Sequence, residues 1–283
     1  YYSIITIDSP DFNYPLVKRI NKKYFKGKII HIVAPTVWAW RKNRAKKFSK
    51  YYDLMLTLFE FENKYFEKFN LKTKCIGHPI YHIRRNLKFN HKKNLIAFLP
   101  GSRNGELKSL FDYFNKAYEH LLDKKIDIQI FIPTLPHLKS EIIHKTKHWK
   151  LNTIITSDNK KIEQLYKKTN YALVCSGTAS LEIAKRGIPQ LIIYKLNIFT
   201  EIFASFFVKV RFACIINIIE RRMIIPELTN SNLDFKKFHL EFDNLITNKK
   251  NNKTQINQVK KIIKKITLNK SPYLIGANEI LKL

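Results

Sequence analysis

A chain of 283 residues, 45% of them hydrophobic, can bury one large α/β domain or two modest ones, and ordinary domain size favours two. Its 52 Lys and Arg against 22 Asp and Glu give a formal net charge of +30, more than solubility requires, so a polyanionic partner is expected: nucleic acid, anionic lipid or a phosphorylated substrate. The three scattered cysteines, Cys75, Cys175 and Cys214, form no C-x-x-C, which excludes a disulfide framework or zinc ribbon and indicates a reducing, cytoplasmic setting.

Apolar runs bounded by turn residues predict strands at 3–7, 28–33, 54–58, 73–76, 95–99, 127–132, 153–156, 171–175 and 190–194. Helix-length segments lie between several of them, at 60–69, 106–122, 160–169 and 180–185. Strand and helix alternating at this spacing predict parallel sheets with crossover helices. A polar, basic passage at 81–93 separates two such series and divides the chain into a first domain, 1–86, and a second, 87–248. A tail, 249–283, opens with a Lys/Asn-rich stretch whose Ile256, Val259, Ile262, Ile263 and Ile266 share one helical face, so it is expected to dock on something.

Residues 198–219 are the most apolar, but Glu201, Lys209 and Arg211 interrupt them, short of the roughly 20 apolar residues that a membrane-spanning helix needs. Within them Phe199, Ile202, Phe203, Phe206, Phe207 and Val210 form a stripe at helical spacing. Such a stripe packs on a core or faces lipid, and Lys195, Lys209, Arg211, Arg221 and Arg222 flank it on either reading.

Two strand-to-helix turns carry the chemistry. In "VCSGTASLEIAK" (174–185) an apolar strand runs into Ser176, Gly177 and Thr178 before a helix. Small residues there let a phosphate approach the unpaired N–H groups and positive dipole end of the helix. Ser176 and Thr178 add hydroxyl donors, and Glu182, one turn in, is placed to accept hydrogen bonds from ribose hydroxyls; the plainer alternative is that Thr178 or Ser180 simply caps the helix. In "LIAFLPGSRNGE" (95–106) a second strand ends in Gly101, Ser102 and Arg103, the last with a guanidinium fork suited to phosphate. Two such turns in one α/β domain predict a crevice at the carboxyl ends of parallel strands. Neither is G-x-G-x-x-G or G-x-x-x-x-G-K-[ST], so a nucleoside diphosphate sugar fits better than a dinucleotide or a P-loop nucleotide.

"TIDSPDFN" (6–13), "HIVAPTVWAWR" (31–41), "CIGHP" (75–79), "LPGSR" (99–103), "SGTASLE" (176–182) and "PEL" (226–228) stand in the order and approximate spacing of bacterial lipid-A-disaccharide synthase, which the sequence resembles over nearly its whole length. "SGTASLE" alone resembles GT-B glycosyltransferases in general; "VWAWR" with "DSPDFN" is more specific. The resemblance implies an α/β GT-B fold, two Rossmann-like domains facing a cleft, and a peripheral enzyme of the cytoplasmic face of the inner membrane. It implies transfer from UDP-2,3-diacylglucosamine to 2,3-diacylglucosamine 1-phosphate, giving UDP and a β-1,6 disaccharide with inversion. UDP-sugar is then a substrate, and no cofactor is implied.

Carried over by motif, the resemblance makes Asp8 the general base, with Asp11 and Asn13 orienting it or shaping the turn; a turn-capping Asp8 is the other reading. It assigns Arg103 to the donor diphosphate, and Asn217, in "CIINII" where Ile216 replaces the family's proline, to a functional asparagine. Trp38, Trp40 and Arg41 lie on the cleft by the same resemblance, or form aromatic core beside a solvated arginine. The family's glycine-rich G-E-x-S-G-D loop has no counterpart from Tyr1 onward. The expectation is a first domain lacking its N-terminal part, from a fragment, a split or decaying gene, or a separate N-terminal polypeptide; a homodimer is the other partner to consider.

No H-E-x-x-H occurs among the nine histidines and no carboxylate or cysteine is arranged with His78 in a metal-ligand spacing, so no metal site is expected. G-x-S-x-G is absent, and the basic run 41–50 lacks any nucleic-acid-binding framework, so no nucleic acid is expected. Another UDP-sugar enzyme of the same fold, or an inactive remnant keeping nucleotide or membrane binding, are the alternative functions.

Overall fold

The computed structural model describes residues 2–20, 24–39, 41, 43–81, 94–175, 177–195 and 212–283. The Phe-rich stripe, Trp40, Ser176 and the passage between the two strand series lie outside these residues. The chain divides into two compact units; among the described residues the first holds 2–81 and 263–283, the second 94–195 and 212–262.

The first unit alternates strand and helix: β1 (Ser3–Ile7), α1 (Pro10–Lys18), β2 (Lys28–Ile32), α2 (Asn43–Phe48), β3 (Leu54–Thr57), α3 (Glu60–Glu67) and β4 (Lys72–Cys75). The sheet is parallel, in the order β1-β2-β3-β4, with Thr6 opposite His31 and Met55 opposite Thr73. Alternation along each strand sends residues to opposite faces. Ile29 and Met55 join Val17, Phe48, Tyr52 and Phe66 on one side, while Ile30, Leu54 and Leu56 pack with Ile76, Ile275 and Ile280 on the other.

The second unit contains β5 (Leu95–Leu99), α4 (Asn104–Asp123), β6 (Gln129–Pro133), α5 (Pro136–Thr146), β7 (Thr153–Thr156), α6 (Asn159–Tyr166), β8 (Tyr171–Cys175), α7 (Thr178–Lys185), β9 (Gln190–Tyr194), α8 (Ile215–Glu220), β10 (Glu227–Thr229) and α9 (Phe235–Thr247). Then follow α10 (Lys249–Ile266) and α11 (Pro272–Leu281). Every residue of β5 is buried, as expected of a strand covered on both faces, and Phe98 packs among Phe114, Trp149 and Phe242.

The six strands run β10-β9-β8-β5-β6-β7, all parallel. From β5 the chain proceeds outward through β6 and β7, then returns to place β8 on the other side of β5. This is the topological switch point, where adjacent loops leave in opposite directions and open a crevice. Because Leu99 pairs with Val174, the turns after β5 and β8 stand side by side.

The tail does not form a body of its own: residues up to Ile262 belong to the second unit and those from Ile263 belong to the first. The predicted stripe is realised in α10, with Ile256, Val259 and Ile262 buried.

Candidate functional site

At the switch point, the turn from β5 to α4 is closed by Glu106. Its Oε2 accepts from the backbone N–H of Ser102 at 2.9 Å and of Arg103 at 3.3 Å, and its Oε1 accepts from Arg103 Nη1 at 3.0 Å. A carboxylate thus satisfies orphan N–H groups of the helix start while holding the arginine. The Arg103 side chain is 81% exposed, so its other guanidinium edge faces solvent. Gly101 has φ +106°, and a Cβ there would sit 2.5 Å from Glu106 Oε2, so the fit requires glycine.

The turn from β8 to α7 is built differently. Its N-cap is Gly177 at φ +125°, with no side chain to cap the helix and open space where a Cβ would stand. Neither Thr178 nor Ser180 is the cap: Ser180 is buried and donates through Oγ to Gly177 O at 2.8 Å, while Thr178 is exposed in the first turn. At the end of β9, the strand beside β8, stands half-buried Tyr194, within electrostatic reach of Glu106 and Arg103 and a neighbour that sequence reasoning missed. Burial pushes its phenol upward, the negative charges of Cys175 and Glu106 add to this, and Arg103 pulls the other way.

Glu182 is held by Arg186, whose Nη2 donates to Glu182 Oε1 at 2.9 Å and to Glu163 Oε1, on α6, at 2.5 Å. Asn217 is fully buried. Its Oδ1 accepts from the N–H groups of Ile224 and Ile225 at 2.8 and 3.0 Å, and its Nδ2 donates to Ile225 O at 2.8 Å. The asparagine therefore fixes the chain leading into β10 and acts on any ligand only through that loop. Beside it Glu227 accepts from Cys214 N at 2.7 Å and Ala213 N at 3.1 Å, and its burial pushes its carboxyl above the usual range.

In the first unit Asp8 follows β1, with an exposed side chain and φ +50°; Ser9 after it has φ +41°. Two consecutive left-handed residues outside glycine are uncommon and need support. Asn13 supplies it, donating through Nδ2 to Asp8 O at 2.7 Å and Ile7 O at 3.2 Å, while Asp8 N donates to Ile32 O. Asp11 instead faces Arg44 and, at 3.5 Å, Arg41, so it does not orient Asp8. Trp38 donates its indole N–H to Glu62 at 3.2 Å and meets Phe61 edge-on, which ties it to α3. Arg41 is exposed.

His31, opposite Thr6, is completely buried, its Nδ1 hydrogen-bonded to Thr6 Oγ1 at 2.7 Å and its ring against Phe48 and Tyr52. Among the described residues no group of three or more His, Cys, Asp or Glu is gathered to hold a metal ion, and no helix is long and apolar enough to cross a membrane.

Two parallel α/β units, one with its crevice at a strand-order reversal, are the architecture of a GT-B glycosyltransferase. Solved structures of that fold superpose accordingly: MurG of Acinetobacter baumannii with a TM-score of 0.57 at 13% identity, over 93% of this chain and 69% of that one. MnaA of S. aureus with UDP gives 0.60 at 14% identity, over 91% and 68%. At such identities the likeness concerns the fold alone.

The family is given by sequence. A family model described as lipid-A-disaccharide synthetase matches residues 2–275. Lipid-A-disaccharide synthases of Rickettsia canadensis and Rickettsia prowazekii are 32% and 33% identical, over 99% and 98% of this chain and 74% and 76% of their own lengths. That of Rhodospirillum centenum is 29% identical over 92% of this chain and 67% of its own. The chain belongs to the lipid-A-disaccharide synthase family of glycosyltransferases.

Proposed function

We propose that the chain transfers the diacylglucosaminyl group of UDP-2,3-diacylglucosamine to the 6-hydroxyl of 2,3-diacylglucosamine 1-phosphate at an anionic membrane surface, with inversion. The acceptor oxygen attacks the anomeric carbon from the face opposite UDP, its proton passes to the Asp8 carboxylate, and the bond from the anomeric carbon to the diphosphate oxygen breaks, UDP leaving with the electron pair. What the role asks of Asp8 is placement within reach of the acceptor hydroxyl. The observation that carries this reading is the backbone at Asp8: a left-handed residue at the end of a parallel strand, braced by Asn13, with its carboxylate turned to solvent.

The charge developing on UDP falls to Arg103 and to the N–H groups of the α7 start, with Ser102, Ser176, Gly177 and Thr178 around the phosphates. Glu182 accepts from the ribose hydroxyls. On the acceptor side Arg41 serves as a cation for the acceptor phosphate and Trp38 as a packed support, and Trp40 is assigned to the acceptor by resemblance alone. Asn217 serves as a positioning residue for the loop before β10. UDP-sugar is substrate, and the chemistry requires no cofactor.

The test is transfer itself. Purified chain incubated with UDP-2,3-diacylglucosamine and labelled acceptor should yield labelled disaccharide. Asp8→Asn, which the left-handed backbone tolerates, should reduce the rate by a factor of about 100 or more while UDP affinity stays within twofold. Product formation undiminished in Asp8→Asn would remove the base from that position, and UDP binding without any product from the unaltered chain would favour a remnant that only binds nucleotide.

A further inference from the structure

Among the described residues of the second unit Arg186 is the most deeply buried charge, its side chain 1% exposed, and no motif singled it out. It closes α7, its backbone N–H reaching back to Glu182 O, Ile183 O and Ala184 O. Its guanidinium lies 4.4 Å over the Tyr166 ring and bonds both Glu163 and Glu182, whose side chains are 36% and 35% exposed. The cation is thus inside and the two carboxylates reach outward from it.

This is a poor arrangement for stability alone. A buried guanidinium loses its hydration, and apolar side chains of like volume often stabilise as well as a buried ion pair. One donor, Nε, is also buried without a hydrogen-bond partner. What the arrangement does provide is orientation. Two carboxylates close enough to share one Nη2 would repel without the cation, and Glu182, on an otherwise flexible stem, would swing towards solvent.

We infer that Arg186 is a positioning residue that locks the Glu182 carboxylate for the ribose hydroxyls and thereby sets the preference of the donor site for ribonucleotides over deoxynucleotides. The inference rests on the reading of Glu182 given above. The spacing suits it: at 1.5 Å per residue Glu182 stands about 6 Å along α7 from Thr178, the separation of a ribose from a pyrophosphate seated at the helix start. An ionised carboxylate accepts only, so it rewards a ligand that brings hydroxyl donors and gains nothing from one that lacks them. The discrimination depends on the carboxylate being held, because an oxygen that must first be ordered returns part of what the hydrogen bond gives.

The experiment is calorimetric titration of the full chain with UDP and with 2′,3′-dideoxy-UDP, read as the ratio of the two dissociation constants. The unaltered chain should prefer UDP by tenfold or more, and Glu182→Ala should bring the ratio to within about twofold of unity. Arg186→Met, similar in length and uncharged, should do nearly the same, by weakening UDP while leaving the dideoxy compound within twofold. Arg186→Lys, which keeps charge but loses the fork, should give an intermediate ratio and covers the case in which Arg186→Met does not fold.

The inference is overturned if a folded Arg186→Met or Arg186→Lys keeps the full ratio, or loses affinity for both nucleotides equally, which is what a merely structural arginine would do. Failure of the underlying reading looks different. In that case the unaltered chain shows no preference, or Glu182→Ala retains it.

Discussion

His31 is uncharged at neutral pH because it has nowhere to place a proton's charge: burial dominates and lowers it from the ordinary 6.5 to about 4, while the Asp8 carboxylate and the carbonyl of Val33 resist this only in part. The unfolded chain takes up a proton on this histidine near pH 6.5 and the folded chain does not until about pH 4, so the folded state is favoured above that window and loses stability as pH falls through it. A shift of that size corresponds at full effect to about 3 kcal/mol. Glu62 and Glu227 act with the opposite sign, since burial raises them, so the folded chain protonates first and acidification towards their ordinary range favours it. Melting temperature measured between about pH 7 and pH 4 should therefore fall more steeply in the unaltered chain than in His31→Asn, which keeps a polar atom opposite Thr6 but cannot titrate. Equal slopes would show that another group controls the acid side. At Asn217 the expected effect is on stability at every pH: Asn217→Ala strands the N–H groups of Ile224 and Ile225 in the interior, a loss of about 1–3 kcal/mol in denaturant titration.

Among the elements, the turn between β5 and α4 concentrates the most dependence on one position. Gly101→Ala puts a methyl group where Glu106 Oε2 now sits and forces an L-residue to φ +106°, so the carboxylate must leave Ser102 N and Arg103 N. The expected result is a destabilisation of about 1–3 kcal/mol together with UDP affinity reduced severalfold, since Arg103 loses the contact that holds it; an unchanged affinity in titration would separate the turn from the donor site. This turn also marks where the sequence stops being informative. The apolar run before Gly101 and the small residues around Gly177 make both strand-to-helix junctions readable, because a strand buried on both faces and a helix start open to anions each demand a residue type. That the Glu106 carboxylate occupies the first junction follows only from its rotamer. The Glu182–Arg186 pair is visible as an i, i+4 spacing, whereas Glu163, on a preceding helix, is joined to it by tertiary packing. Pro10 and Pro15 obscure α1, which periodicity did not reveal, and β10 has only three residues, below what alternation can register. Asn217 had its importance indicated by resemblance, but its burial by nothing in the local pattern.

At the scale of the whole chain the question is what a net charge of +30 does for a glycosyltransferase of this family. The charge is not spread evenly. In α10 the apolar face is buried while Lys249, Lys250, Lys253, Lys260, Lys261, Lys264 and Lys265 are exposed, and the helix contains no Asp or Glu to neutralise them. Each lysine close to an anionic leaflet contributes about 1 kcal/mol, and the attraction decays over a Debye length of about 10 Å at 0.1 M salt. Both acylated substrates reside in a bilayer on the reading proposed here, so a surface that lowers the search from three dimensions to two has a direct use. In co-sedimentation, the chain should bind vesicles containing anionic lipid and ignore neutral ones, and most of the binding should disappear as salt rises to about 0.5 M, where the Debye length is roughly halved. Replacing Lys260, Lys261, Lys264 and Lys265 by Gln should weaken partitioning by about tenfold or more, since even a third of the full attraction from four lysines exceeds 1 kcal/mol. Transfer between short-chain, water-dispersed substrates should be unaffected by the same replacements, because none of these lysines is among the donor and acceptor residues proposed above. Tight, salt-insensitive binding to neutral vesicles would instead mean that apolar insertion holds the enzyme on the bilayer and that the lysine face is only a solvated surface.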